Sequence, residues 1–159
     1  MENLTIYFDM DGTLFDLYAV PNWEQKLRAE DASPYLEAPT LINLRDLANL
    51  LQNLQKYGVQ IGVISWLSMN SSREYNKMVR NAKRQALKKI GIDFDEIHFV
   101  KYGYPKYKVA KNQENRMLFD DNKEVLKNWK KGHAQNKIAV EVPKNDILEV
   151  LEDLLEQLT

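Results

Sequence analysis

Short apolar runs of strand type alternate with longer amphipathic segments from one end of the chain to the other, and this alternation restricts the fold more than any other feature. The strand-type runs are Leu4–Phe8, Val59–Ile64, Ile97–Val100, Met117–Phe119 and Ile138–Val142. Several are almost continuous in apolar residues, the pattern of strands covered on both faces. Between them Leu41, Leu44, Leu47, Ala48, Leu51 and Leu54 recur at helical spacing and stop at Gly58. Tyr75, Met78, Val79, Ala82, Ala86 and Ile90 form a second stripe that ends at Gly91. A third holds Ile147, Leu148, Leu151, Leu154, Leu155 and Leu158, with Asn145 placed as its N-cap. The expected fold is α/β: one Rossmann-like, doubly wound parallel sheet of about five strands with helices on both faces. Residues 16–40 interrupt the pattern with Pro21, Pro34 and Pro39. They are expected to form a small lid or flap with one short helix around Asn22–Glu30, inserted into a single domain spanning residues 1–159.

Composition supports this reading mainly by exclusion. The chain has 159 residues, about one domain's worth, with 44% apolar and 28% charged residues. A net charge of −1 gives no whole-molecule attraction to nucleic acid or to an anionic membrane. Cysteine is absent, which removes disulfides, thiolate metal sites and cysteine nucleophiles together. No apolar run approaches the length of a membrane span, and MENLTIYFDMDG lacks the basic flank and apolar stretch of a signal peptide. A soluble, cytoplasmic protein is expected.

In an open α/β sheet, ligands bind beyond the carboxyl ends of the strands, so the polar residues there carry the functional information. Asp9 and Asp11 follow the first run, with Gly12 and Thr13 behind them. Ser65 follows the second run and the pair Asp120-Asp121 the fourth. Lys106 lies between the third and fourth, with Lys108 close by. Crowded carboxylates repel one another, and a hard divalent cation such as Mg²⁺ relieves them while binding phosphate oxygens. A strand-end aspartate is an established nucleophile toward phosphorus. Asp11, two residues on, can reach a leaving-group oxygen, and Gly12 lets the backbone approach a phosphate closely. Ser65 and a lysine supply donors for the transferring oxygens.

Asp9-Met10-Asp11-Gly12-Thr13-Leu14 resembles the first motif of the haloacid dehalogenase (HAD)-like phosphohydrolases. Ser65 resembles their second motif, Lys106 in YGYPKYKVA their third, and Met117–Asp121 (MLFDD) their fourth, in the family's order. Lys108 competes with Lys106 for the third, and the resemblance covers roughly residues 4–125. It implies a Mg²⁺-dependent phosphatase in which Asp9 becomes a phosphoaspartate. Asp11 would protonate the leaving group and then activate water. Ser65 and Lys106, with Gly12, would hold the phosphoryl group. Asp9, Asp120, Asp121 and the Asp11 carbonyl would hold the metal. The short spacings leave no room for a large cap, so the site is expected to be weakly covered. That suits a small phosphate ester, a nucleotide or a nucleic-acid end, with a second subunit as a possible cover. The alternative is a non-catalytic, HAD-like metal- or phosphate-binding regulatory module.

Other features read as structural. Arg73, Lys77, Arg80, Lys83, Arg84, Lys88 and Lys89 fit the solvated side of an amphipathic helix. Tyr18, Trp23 and Trp66 could stack a base but fit core or lid packing better. His98 and His133 show no ligand spacing.

Overall fold

A computed structural model describes residues 2–110 and 114–159. Five strands form one sheet: β1 (Leu4–Phe8), β2 (Gln60–Trp66), β3 (Glu96–Val100), β4 (Asn115–Asp120) and β5 (Asn136–Glu141). All neighbouring pairs are parallel, in the order β3-β2-β1-β4-β5. The chain leaves β1 toward one edge, returns after β3, and continues to the other edge through β4. The switch point therefore lies between β1 and β4, where the C-terminal ends of two adjacent strands open a crevice.

The helices are α1 (Trp23–Arg28), α2 (Ser33–Glu37), α3 (Leu44–Lys56), α4 (Arg73–Lys88), α5 (Lys123–Trp129) and α6 (Ile147–Leu158). Alternate residues of the strands feed two apolar layers. Ile6, Phe8, Ile61, Val63, Met117 and Phe119 pack with Leu47 and Leu51 of α3, Ala86 and Leu87 of α4, and Leu151 of α6. Tyr7, Ile64 and Leu118 face the other way, onto Val125, Leu126 and Trp129 of α5. Helices cover both faces, and among the described residues α5 is the α-helix on the second. Among the described residues, no helix is long and apolar enough to cross a membrane.

Local signals account for most boundaries. Asn43 caps α3 through the Asp46 N–H, and Ser72 caps α4 through the Tyr75 N–H. The cap of α6 is Asp146, which accepts from Leu148 and Glu149, whereas the sequence favours Asn145. Asn145 instead donates its side-chain amide to the Glu141 carbonyl, back toward β5. Strand β2 runs two residues beyond the expected Ile64, so Ser65 lies within the strand.

The 16–40 segment holds two short helices, α1 and α2, rather than one. Pro34 stands in the first turn of α2, where its missing N–H is no loss. The base of the segment is pinned by hydrogen bonds from Asp16 N–H to the Pro39 carbonyl and from Leu41 N–H to that of Leu14. Its far side is tied to α4 and the loop before it. Glu30 accepts from the Ser72 amide and hydroxyl, the Tyr75 hydroxyl donates to the Asp31 carbonyl, and Tyr35 meets Ser68. Leu17, Tyr35, Tyr75 and Val79 make a small apolar cluster behind these ties.

Candidate active site

The crevice between β1 and β4 gathers the polar strand ends. Asp9, one residue past β1, is buried, and both of its oxygens are engaged: Oδ1 accepts from Lys106 Nζ at 2.9 Å and Oδ2 from Thr13 Oγ1 at 2.9 Å. Lys106 Nζ also donates to Asp120 Oδ2 at 2.8 Å. One ammonium thus bridges the acid after β1 and the acid that ends β4. The lysine sits on a 3-10 turn, Lys106–Lys108, whose first residue points inward while Lys108 is exposed. The structure thereby separates the two candidate lysines. Arg116, near the start of β4, buttresses this turn by donating to the carbonyls of Tyr107, Trp129 and Lys131. A buried arginine on a central strand gives no sequence hint of that role.

Carboxylate oxygens of Asp9, Asp120 and Asp121 all lie within 4.8 Å of one another. Burial, followed by repulsion from Asp9, pushes the Asp120 carboxyl up to about 6 and that of Asp121 to about 8. Burial would by itself pull Lys106 down, but Asp9 and Asp120 outweigh it and hold the ammonium firmly charged. Three hard oxygen donors crowded at this spacing, with one lysine among them, suit a small divalent cation such as Mg²⁺. The side chain of Asp11 lies outside this trio. Gly12 has φ +84°, and a Cβ there would collide with the Asp121 carboxylate. Its N–H donates to the Phe15 carbonyl at 2.8 Å. This glycine is explained by the fit of Asp121 against the turn.

The Asp11 carboxylate takes a different cation. Lys83 Nζ, from α4, donates to Asp11 Oδ2 at 2.8 Å, to Ser65 Oγ at 2.7 Å and to the Trp66 carbonyl at 2.7 Å. Lys83 is 0% exposed, so it does not belong to the solvated basic face on which the sequence places it. Its neighbours Arg73, Lys77, Arg84, Lys88 and Lys89 are exposed as expected. The missed signal was periodicity: Lys83 falls four residues after Val79 and four before Leu87, both in the core. Burial pushes the Asp11 carboxyl above the ordinary range, against the lowering pull of Lys83. Ser65 is fully buried and lies behind the crevice wall, with its oxygen on Lys83.

A cavity of about 510 Å³ opens from Asp9 and Asp11. Its walls include Tyr18, Trp23 and Leu27 from the lid, Trp66 at the end of β2, and Met69 and Tyr102 from the loops opposite. Tyr18 and Trp23 meet edge to face at 5.1 Å, and Trp66 and Tyr102 pair at the same distance. Tyr18, Trp23 and Trp66, read from the sequence as packing, are both packed and site-lining. The short 16–40 lid thus supplies part of the wall of the cleft. His98 pairs with Glu96 on β3 and His133 is exposed, both away from the site.

An all-parallel doubly wound sheet with an acidic cluster at its switch point defines the class of fold. The fold is similar to that of the D,D-heptose 1,7-bisphosphate phosphatase from B. bronchiseptica, solved with magnesium and phosphate. The TM-score is 0.57 at 12% identity, over 96% of this chain and 98% of that one. The D,D-heptose 1,7-bisphosphate phosphatase from Burkholderia thailandensis is similar at a TM-score of 0.52 and 13% identity, over 97% and 99%. The chain thus has the fold of HAD-family phosphatases. No protein-family model matches the sequence, and neither does any curated protein.

Proposed function

We propose that the protein is a HAD-like, Mg²⁺-dependent phosphomonoester hydrolase working through a phosphoaspartate on Asp9. The observation that carries the reading is the convergence of Asp9 and Asp11 on one cavity, each with its own buried lysine. The Asp9 carboxylate attacks phosphorus, a P–O bond to Asp9 forms, and the ester P–O bond breaks with its electron pair moving to the leaving oxygen. Asp11 delivers a proton to that oxygen. Water then attacks phosphorus while Asp11 takes its proton, releasing phosphate and restoring Asp9. Lys106 orients Asp9 and faces the phosphoryl oxygens with positive charge, while Ser65, buried behind the crevice wall with its oxygen on Lys83, supports the site from the strand. Mg²⁺ held by Asp9, Asp120, Asp121 and the Asp11 carbonyl would offset the negative charge of the phosphoryl group. The aromatic-walled cavity suits a small phosphate ester, including a nucleotide, better than a large macromolecular end.

Hydrolysis of p-nitrophenyl phosphate with Mg²⁺ tests the reading. Asp9→Asn is expected to lose about 10⁴-fold or more in kcat, since the nucleophile is gone. Asp11→Asn is expected to trap phosphoenzyme detectable by intact mass. A wild type inactive on a broad panel of phosphate esters would overturn the assignment.

A further inference from the structure

Lys83 has no place in the reaction just described, yet its ammonium is among the most constrained groups in the molecule. Its three N–H donors are matched by three acceptors, Asp11 Oδ2, Ser65 Oγ and the Trp66 carbonyl, at 2.7–2.8 Å. The Tyr35 ring lies 4.8 Å from Nζ. These are short, charge-assisted bonds around a lysine with no exposed surface, so Nζ has one position. Lys83 does not line the cavity, whereas Asp11 does. Any effect on substrate must therefore pass through the groups that Lys83 holds.

We propose that Lys83 is a positioning residue for proton transfer, holding Asp11 by one oxygen so that the other is presented to the leaving group. Asp11 Oδ1 accepts no hydrogen bond from the described residues, which leaves it as the oxygen available to the reaction. The same ammonium anchors Ser65, so the side of the site that receives the leaving oxygen and the strand beneath the phosphoryl group share one fixed point. A long side chain from mid-helix suits this task. The α4 backbone is locked by core packing at Val79, Ala82 and Ala86, and the carboxylate inherits that rigidity.

The inference rests on the phosphatase reading and separates from it by leaving group. A p-nitrophenolate leaves without a proton, whereas an alkoxide, as from glycerol 2-phosphate, needs one. The quantity to follow is kcat/KM on glycerol 2-phosphate divided by that on p-nitrophenyl phosphate. It reports formation of phospho-Asp9, and damage common to both substrates cancels in it. General acid catalysis typically contributes about 10²–10⁴-fold, so Lys83→Met is expected to lower the ratio by about tenfold or more. In an Asp11→Asn background the same substitution should lower it no further. Lys83→Arg keeps the buried charge that the fold needs but presents it as a wider planar fork, and it too should lower the ratio. Because the chain has no cysteine, Lys83→Cys alkylated in the unfolded state with 2-bromoethylamine and refolded rebuilds a lysine-length ammonium. It is expected to restore the ratio. A folded Lys83→Met or Lys83→Arg protein with the wild-type ratio overturns the proposal, as does a further fall in the Asp11→Asn background or an aminoethylated Lys83→Cys that does not restore the ratio. A wild type inactive on both esters, or an Asp11→Asn protein with an unchanged ratio, would instead overturn the underlying phosphatase mechanism.

Discussion

The site holds two buried lysines, each against a carboxylate of the same Asp-x-Asp turn, and they reach it by opposite routes. Lys106 comes from a 3-10 turn in an irregular connection and bridges Asp9 with Asp120. Lys83 comes from the body of a 16-residue helix and joins Asp11 to Ser65 and Trp66. The first stands at the cavity among acids and aromatics, 5.4 Å from the Trp66 ring centroid. The second is sealed behind it. A cation that must face changing ligands is carried on a turn. A cation that must hold a single carboxylate is carried on rigid structure. In the proposed mechanism, bond-making falls to the Lys106 half of the site and proton handling to the Lys83 half.

Removing Lys106 should break this division most severely. Lys106→Ala leaves two buried carboxylates without their shared partner, and kcat/KM is expected to fall by about 10²–10³-fold for both good and poor leaving groups. Lys108→Ala, on the exposed end of the same turn, should stay within about twofold, since surface changes are usually near neutral. Equal losses in the two variants would undo the assignment of the turn.

A smaller effect is expected at Gly12, where the turn and the acid cluster touch. Gly12→Ala forces a side chain into the left-handed region and against Asp121. It should cost about 1–3 kcal/mol of stability in urea unfolding and weaken Mg²⁺ binding in the same protein. Unchanged metal affinity would mean that Asp121 has room to move aside.

Mg²⁺ itself gives the smallest shift. The Asp120 and Asp121 carboxyls are raised in the folded state, to about 6 and about 8, so the folded protein holds their protons more tightly than the unfolded chain. In the metal-free protein these two carboxyls contribute most stability below the ordinary carboxylate range, and that contribution is lost as pH climbs through these values. Mg²⁺ competes with the same protons, so its stabilisation should grow over that window to a few degrees of melting temperature at pH 8. Thermal melts with Mg²⁺ and with chelator, at pH 5.5 and pH 8, read this directly. A metal-induced shift that does not change with pH would separate the cation from this cluster.

Much of the fold and half of the site could be read from residue order, because those features are local. Asp9, Asp11 and Gly12 are neighbours in one turn, and Asp120-Asp121 end a strand whose apolar run announces it. Strand–helix alternation implied the parallel sheet, and the sheet implied that its carboxyl ends would meet. Lys106 and Lys108 differ only in which side of a 3-10 turn each occupies, and packing against Arg116 and Trp66 decides that. The lid's two helices and its ties to α4 depend on contacts between Glu30 and Ser72 and between Asp31 and Tyr75, 42 and 44 residues apart. Lys83 lies 72 residues from Asp11 and was hidden by its type, since a lysine among lysines looks solvated until the helix is rotated against the sheet. Local spacing determined where the acids stand. Only tertiary packing decided which cation each one meets, because the partners are brought together by the burial of apolar faces and not by any spacing within the sequence.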